Sequence, residues 1–427
     1  MSDTQKHNKS NVPNKREQNQ TCLSSAEREG LRPKGNVPNL RFPEFCEEWE
    51  KTTIGELSTI VGGGTPDTNN KDYWNGDVQW YTPSEVGKYK YVSKSLRTIT
   101  KKGLKNSSAR LLPPRSILLS SRATVGECSI NIQECCTNQG FQSAIPNIQK
   151  VSTEFLYYRL LTHKREFIKK ACGSTFLEIS AKQISRLNTF VPTYQEQNKI
   201  ASLLSLIDDR IEIQNKVIED LISLEKVFIN STFREIKGEK IPLSAISERI
   251  VDRNADCSCS NVLTISAKDG LVSQLNYFKK SVASQNLSNY YLLQKGDFAY
   301  NKSYSTDYPW GAIKHLETYN QGILSPLYFC FRVNSEKINI DYLQLFFDTN
   351  IWYKYISEIA VEGARNHGLL NMSVSDFMAM PIPLPALSEQ NKIVNNLMYL
   401  RKKRIREIQY LKALEKQKKF LLSQLFI

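Results

Sequence analysis

Between residues 193 and 233 the apolar side chains Ile200, Leu204, Ile207, Ile211, Ile218, Leu221 and Phe228 recur in steps of three, four and seven, passing over Gln214. That spacing places them on one helical face and predicts a seam for a second helix. The pattern returns at Ile393, Leu397, Leu400, Ile408, Leu411, Leu414 and Leu421. Each run covers about 40 residues, on the order of 60 Å at 1.5 Å per residue. Thr193 followed by Glu196 offers a capping box for the first helix, and Ser388 opens the second. Elsewhere the periodicity is shorter. Ser116–Ser120 and Leu327–Val333 read as strands, and Glu154–Cys172 and Asp341–Ile359 as helices, so the class is α+β.

The chain repeats itself. Glu196-Gln197-Asn198-Lys199-Ile200 recurs unchanged as Glu389-Gln390-Asn391-Lys392-Ile393, and Pro192 and Pro385 precede the two copies at the same distance. Asn138-Gln139-Gly140 returns as Asn320-Gln321-Gly322, and Ile54-Gly55-Glu56-Leu57 has a weaker echo in Leu243-Ser244-Ala245-Ile246. Kept in order, these matches describe a duplicated unit of one globular domain followed by one helix. The expected organisation is a disordered polar tail at 1–38, a domain at 39–191, a central helix at 192–234, a second domain at 235–384 and a C-terminal helix at 385–427. The tail is too poor in apolar residues to offset the entropy of ordering it.

Charge sharpens this picture. Thr193–Phe233 carries four Lys/Arg against seven Asp/Glu, and Glu389–Ile427 ten against three. Opposite net charge favours pairing of the two helices with each other over self-pairing. The whole chain of 427 residues has a net charge of +14, which points to phosphate-bearing partners, nucleic acid first. No run approaches the roughly 18 apolar residues of a spanning helix, so no membrane is expected. Nine cysteines without a regular framework and a polar start suggest a reducing, cytoplasmic setting with idle thiols.

Catalytic signatures are missing. Gly62-Gly63-Gly64-Thr65-Pro66 lacks the Gly-Lys-Ser/Thr ending of a phosphate loop and reads as a turn. No dinucleotide fingerprint and no Asn/Asp-Pro-Pro-aromatic element of an amino-methyltransferase occurs. Cys135-Cys136 and Cys257-x-Cys259 lack zinc-site spacing, and the four histidines are scattered. Catalytic and metal-ligating residues are therefore expected to be absent. The domains instead interleave basic, polar and aromatic residues suited to phosphates and base edges. The candidates are Lys88, Lys90, Tyr91, Lys101, Lys102, Lys105, Arg122 and Thr124 in the first domain, and Lys279, Lys280, Lys302 and Tyr304 in the second.

Several segments together resemble the specificity subunit of type I restriction-modification systems. They are Gly63-Gly64-Thr65-Pro66, Tyr73-Trp74-Asn75-Gly76-Asp77, Trp80-Tyr81-Thr82-Pro83, Arg122-Ala123-Thr124-Val125-Gly126, Asn138-Gln139-Gly140 and the Pro-Ile-Pro-Leu-Pro run before Glu389. In the second domain Lys302-Ser303-Tyr304-Ser305 and Trp310-Gly311 replace the Arg-Ala-Thr-Val-Gly element. The resemblance implies two target recognition domains separated by two long helices forming an antiparallel coiled coil, an internal pseudo-twofold repeat. It implies a non-catalytic subunit that reads an asymmetric bipartite duplex DNA target. Two modification subunits carrying S-adenosylmethionine would dock on the helices, and restriction subunits would use ATP and Mg2+, with no cofactor in this chain. A stand-alone DNA-acting enzyme and a coiled-coil scaffold are the competing readings. Turnover without partners would favour the enzyme, and salt-independent behaviour the scaffold.

Overall fold

The computed structural model describes residues 35–171, 177–236, 239–278, 287–303, 305–334, 336–360 and 369–427. The chain forms two compact units, Met1–Ile213 with Leu411–Ile427, and Gln214–Tyr410. Both follow one plan. In the first, strand Glu50–Thr53 pairs antiparallel with Asn188–Val191, which leads into the central helix. In the second, Lys240–Pro242 pairs with Pro381–Pro383, which leads into the C-terminal helix. The weak sequence echo marks one conserved bond: Ile54 N donates to Leu187 O at 3.0 Å, and Leu243 N to Met380 O at 2.8 Å.

Sheet order repeats as well. The first unit has a five-stranded sheet in the order Ser58–Gly62, Gln142–Pro146, Ile117–Leu119, Cys128–Asn131, Tyr91–Val92. The second has Ser247–Arg249, Phe329–Val333, Phe298–Asn301, Ala312–His315 in the matching order. The first unit adds a three-stranded sheet, Arg97–Ile99, Trp74–Tyr81 and Cys135–Thr137, where the second has two separate two-stranded pairings.

The repeated glutamine explains why the five-residue motif is kept. Gln197 is buried; its Oε1 accepts from Ser152 N at 2.9 Å, and its Nε2 donates to Pro192 O at 3.0 Å and Lys150 O at 3.1 Å. Gln390, also buried, accepts from Asn339 N and donates to Pro385 O, both at 2.8 Å. Ser152 and Asn339 are the N-caps of helices Thr153–Thr162 and Ile340–Phe347. One carboxamide thus joins the first turn of each long helix to the cap of a shorter one. It satisfies backbone groups that burial would otherwise leave costly.

The central helix, Tyr194–Glu235, has 42 residues and the C-terminal helix, Leu387–Gln424, has 38. In the first unit Lys418 Nζ meets Asp208 Oδ1 at 2.6 Å. In the second, Gln214 Nε2 reaches Glu407 Oε2 and Arg404 Nε reaches Glu225 Oε1, each at 2.7 Å. Within the second unit a step up one helix is a step down the other, from Gln214 opposite Glu407 to Phe233 packed in the cluster that holds Val394, so the helices run antiparallel. All fourteen apolar seam positions are buried or half-buried. The seam also carries the buried polar residues Gln214 and Glu225, a device that fixes register in coiled coils.

Aromatic cores seat the helices. Trp49, Phe155 and Phe167 cluster with Ile200, Leu204 and Phe426 in the first unit, and Phe233, Tyr342 and Phe346 with Val394 and Leu397 in the second. Several expectations need correction. Glu196 is not a surface cap: it is fully buried, accepting from Arg41 Nε at 2.8 Å, Arg41 Nη2 at 2.7 Å and Trp49 Nε1 at 3.4 Å. Two expected helices are each broken, into Thr153–Thr162 and Lys164–Lys170 around His163, and into Ile340–Phe347 and Tyr353–Ile359. Of the polar stretch, 1–34 lie outside the described residues, whereas Asn36 accepts from Trp49 N at 2.8 Å and Val37 lies packed and half-buried. The thiols are not all idle. Cys46 is disulfide-bonded, and Cys128, Cys135, Cys136, Cys257, Cys259 and Cys330 are free. Burial pushes Cys135 and Cys136 up to about 12.

Candidate nucleic-acid interface

The motif segments of the first unit converge. Gly64 N donates to Thr137 O at 2.8 Å, Asn138 N to Tyr81 O at 3.0 Å and Ser121 N to Gly140 O at 2.8 Å. Thr65 Oγ1 donates to Gln139 Oε1. A Cβ on Gly63 would lie 2.0 Å from Asn138 O, and one on Gly64 2.3 Å from the Ser108 backbone, so only glycine permits this approach. The paired glycines are a packing device after strand Ser58–Gly62, and residues 63–66 are irregular chain in place of the expected turn. Tyr81 OH, Ser121 Oγ and Arg122 Nε are buried and have no protein hydrogen-bond partner. Burial also raises the Tyr81 hydroxyl pKa, keeping it a neutral donor.

The tryptophans serve the same assembly. Trp80 Nε1 donates to Gly64 O at 2.9 Å and Trp74 Nε1 to Asp67 O at 3.0 Å, which ties both indoles to the Gly-Gly-Thr-Pro segment. Their rings meet edge to face at 5.0 Å. Asn75, at φ +61°, bulges the strand so that Trp74 and Val78 both pair with Ile99. Arg97, paired with Trp80 in register, then lies with its guanidinium carbon 3.6 Å from the Trp74 ring centroid.

The sequence-derived candidates scatter over this unit. Lys88 is exposed with its ammonium 5.0 Å from the Tyr89 ring centroid. Lys90 turns the other way: it donates to Ser205 on the central helix and sits 5.0 Å from the Tyr158 ring centroid. Burial lowers its pKa, opposed by Asp208 and Glu154. Tyr91 OH donates to Glu154 Oε1 at 2.8 Å, and burial with that carboxylate pushes its pKa up to about 12. Lys101, Lys102 and Lys105 share the exposed helix Lys101–Lys105, where Lys102 meets Asp72 at 2.8 Å. Arg122 pairs with Glu178 at 2.8 Å, and Thr124 Oγ1 donates to Ser120 Oγ at 3.2 Å.

In the second unit Lys302 is half-buried with its ammonium 4.2 Å from the Phe329 centroid, and burial lowers its pKa. Lys279, Lys280 and Tyr304 lie outside the described residues. Backbone bridges relate the two divergent elements: Arg122 faces Glu178, and Ser303 faces Leu369. Among the described residues no group of three or more His, Cys, Asp or Glu could hold a metal, and no helix is long and apolar enough to cross a membrane.

Residues 46–222 match the type I restriction modification DNA specificity domain. The type I restriction enzyme MjaIX specificity subunit of Methanocaldococcus jannaschii is 38% identical over 182 residues, 41% of this chain and 42% of that protein. The EcoR124I/EcoR124II specificity subunit of Escherichia coli is 28% identical over 189 residues, 43% of this chain and 45% of that protein. The aligned part thus spans less than half the length of these relatives. A chain solved in work on complex assembly and conformational transition of the type I R-M system shares the fold, with a TM-score of 0.57, 12% identity, and coverage of 88% of this chain and 97% of that one.

Proposed function

We propose that the chain is the non-catalytic DNA-recognition subunit of a type I restriction-modification system, reading a bipartite duplex target. The observation that carries this reading is the duplication. A specificity domain in the first unit is matched in the second by the same sheet order and the same glutamine latch. The helix starts match while the domain sequences diverge, so the two half-sites should differ in sequence. Lys88, the lysines of helix Lys101–Lys105 and Lys302 would each meet phosphates.

Two modification subunits would dock on the paired helices and supply S-adenosylmethionine chemistry; restriction subunits would add ATP- and Mg2+-dependent steps, all in the cytoplasm. Support for docking comes from large apolar side chains that the helices leave exposed, Leu206, Ile213 and Phe420 in the first unit and Leu224, Val227 and Tyr399 in the second. In a salt titration of duplex binding by the purified full chain, log affinity should fall steeply with log salt. Incubated with DNA, Mg2+, ATP and S-adenosylmethionine, the chain alone should neither cut nor methylate. A flat salt response, or turnover without partners, contradicts the reading.

A further inference from the structure

Beside the tryptophan pair, residues Ser93–Arg97 form a loop held to the rest of the first unit at nearly every step. Gln133 Nε2 donates to Ser93 O. Ser95 N donates to Gln79 Oε1 at 2.8 Å, and Ser95 Oγ accepts from Trp80 N at 3.0 Å. Leu96 N donates to Glu85 Oε1 at 2.6 Å, while the other Glu85 oxygen accepts from Thr82 N at 2.8 Å. A backbone so fixed presents its side chains in one place.

Unlike Ser95, the side chains of Lys94, Leu96 and Arg97 face solvent. Leu96 is 85% exposed, the most exposed large apolar residue among those described. Lys94 is exposed and has no ion pair among the described residues. Arg97 sits over the Trp74 ring, its guanidinium carbon 3.6 Å from that centroid and 5.7 Å from that of Trp80, and its guanidinium has no hydrogen-bond or ion-pair partner among the described residues. Stacking orients the planar fork and removes part of the entropy cost of using it, while its N–H edges stay in water. An isolated exposed leucine needs no explanation. An anchored one between a lysine and a pre-oriented arginine has the composition of a base-reading tip.

Resting on the proposed DNA-recognition function, we infer that Ser93–Arg97 is the base-reading element of the first unit. Arg97 takes the O6 and N7 acceptors of a guanine in the major groove, Leu96 makes apolar contact with a neighbouring base such as a thymine methyl, and Lys94 meets phosphate. A good bidentate arginine–guanine pair discriminates by roughly ten- to a hundredfold. Lysine in place of Arg97 keeps the charge and loses the stacked fork.

The test is selection of bound duplexes from a random pool by the purified full chain, as wild type, R97K, R97A and L96A, with thermal unfolding to confirm that each variant folds. Wild type should select a two-part motif. R97K should lose one G·C preference in one part only, with target affinity reduced about ten- to a hundredfold and non-specific affinity and salt slope unchanged. R97A should lose the same preference and flatten the salt slope by about one. L96A should relax a base next to that G·C pair. If wild type selects the motif and R97K selects the same one with equal affinity, Arg97 is at most a phosphate contact and this inference is overturned, with the DNA-recognition function intact. If wild type selects no motif, both fall.

Discussion

Replacing Gln197 by alanine removes three hydrogen bonds from a buried site and leaves Ser152 N, Lys150 O and Pro192 O without that partner. At about 1 kcal/mol net for each such bond, the expected cost is on the order of 3 kcal/mol. Gln390 makes two equivalent bonds, so Q390A should cost on the order of 2 kcal/mol. Two units make a single global unfolding free energy a poor measure, so the assay is site-resolved amide hydrogen exchange on the full chain. Q197A should lower protection at the first turn of Thr153–Thr162 by about a hundredfold, since each 1.4 kcal/mol is tenfold. Q390A should do the same, somewhat less, at Ile340–Phe347. Glutamate would not rescue position 197, because its second oxygen would face two carbonyls. If Q197A left exchange at Ser152–Leu156 unchanged, the latch would be a by-product of the repeat and not its reason.

Other consequences follow from particular contacts. Glu196→Ala should destabilise the first unit by about 3–5 kcal/mol, because it strands the buried Arg41 guanidinium, while Glu389→Ala at the matching exposed position should change the second unit by less than about 0.5 kcal/mol, both read by amide hydrogen exchange in the unit concerned. His163, held down to about 4 chiefly by burial and also by Arg159, against the pull of Glu166, binds fewer protons folded than unfolded. Its contribution is complete above the ordinary histidine range and is lost as pH falls from about 6.5 towards 4, at most about 3 kcal/mol. An H163Q variant should lack that part of the acid sensitivity in chemical denaturation at pH 7 and pH 4.5. Deleting seven residues within Ile200–Phe228 shortens the central helix by about 10 Å while keeping the seam in phase, and the gap between selected half-sites should shrink.

The duplication was legible because helix starts tolerate little change: the glutamine must reach a cap, a proline carbonyl and its own helix at once. The seam was legible because three- and four-residue steps survive charge changes around them. Glu196 was not, since its partner Arg41 lies far away in the chain and the same Glu-Gln-Asn-Lys-Ile motif exposes Glu389 in the other unit. The Lys88–Tyr91 run looked like one cluster, yet the strand turns Lys90 and Tyr91 to Ser205 and Glu154 and leaves Lys88 outside. Arg97 was invisible for a related reason. Its stack on Trp74 depends on the bulge at Asn75, which brings residues from two strands together and has no linear spacing signature.

The most direct measurement is sequencing of methylated DNA from cells carrying this chain together with the proposed modification subunit. Two unlike half-sites at one fixed gap, absent when the chain is removed, are the predicted outcome. Methylation at a single continuous or palindromic site, or a methylation pattern indifferent to the chain, would contradict the account.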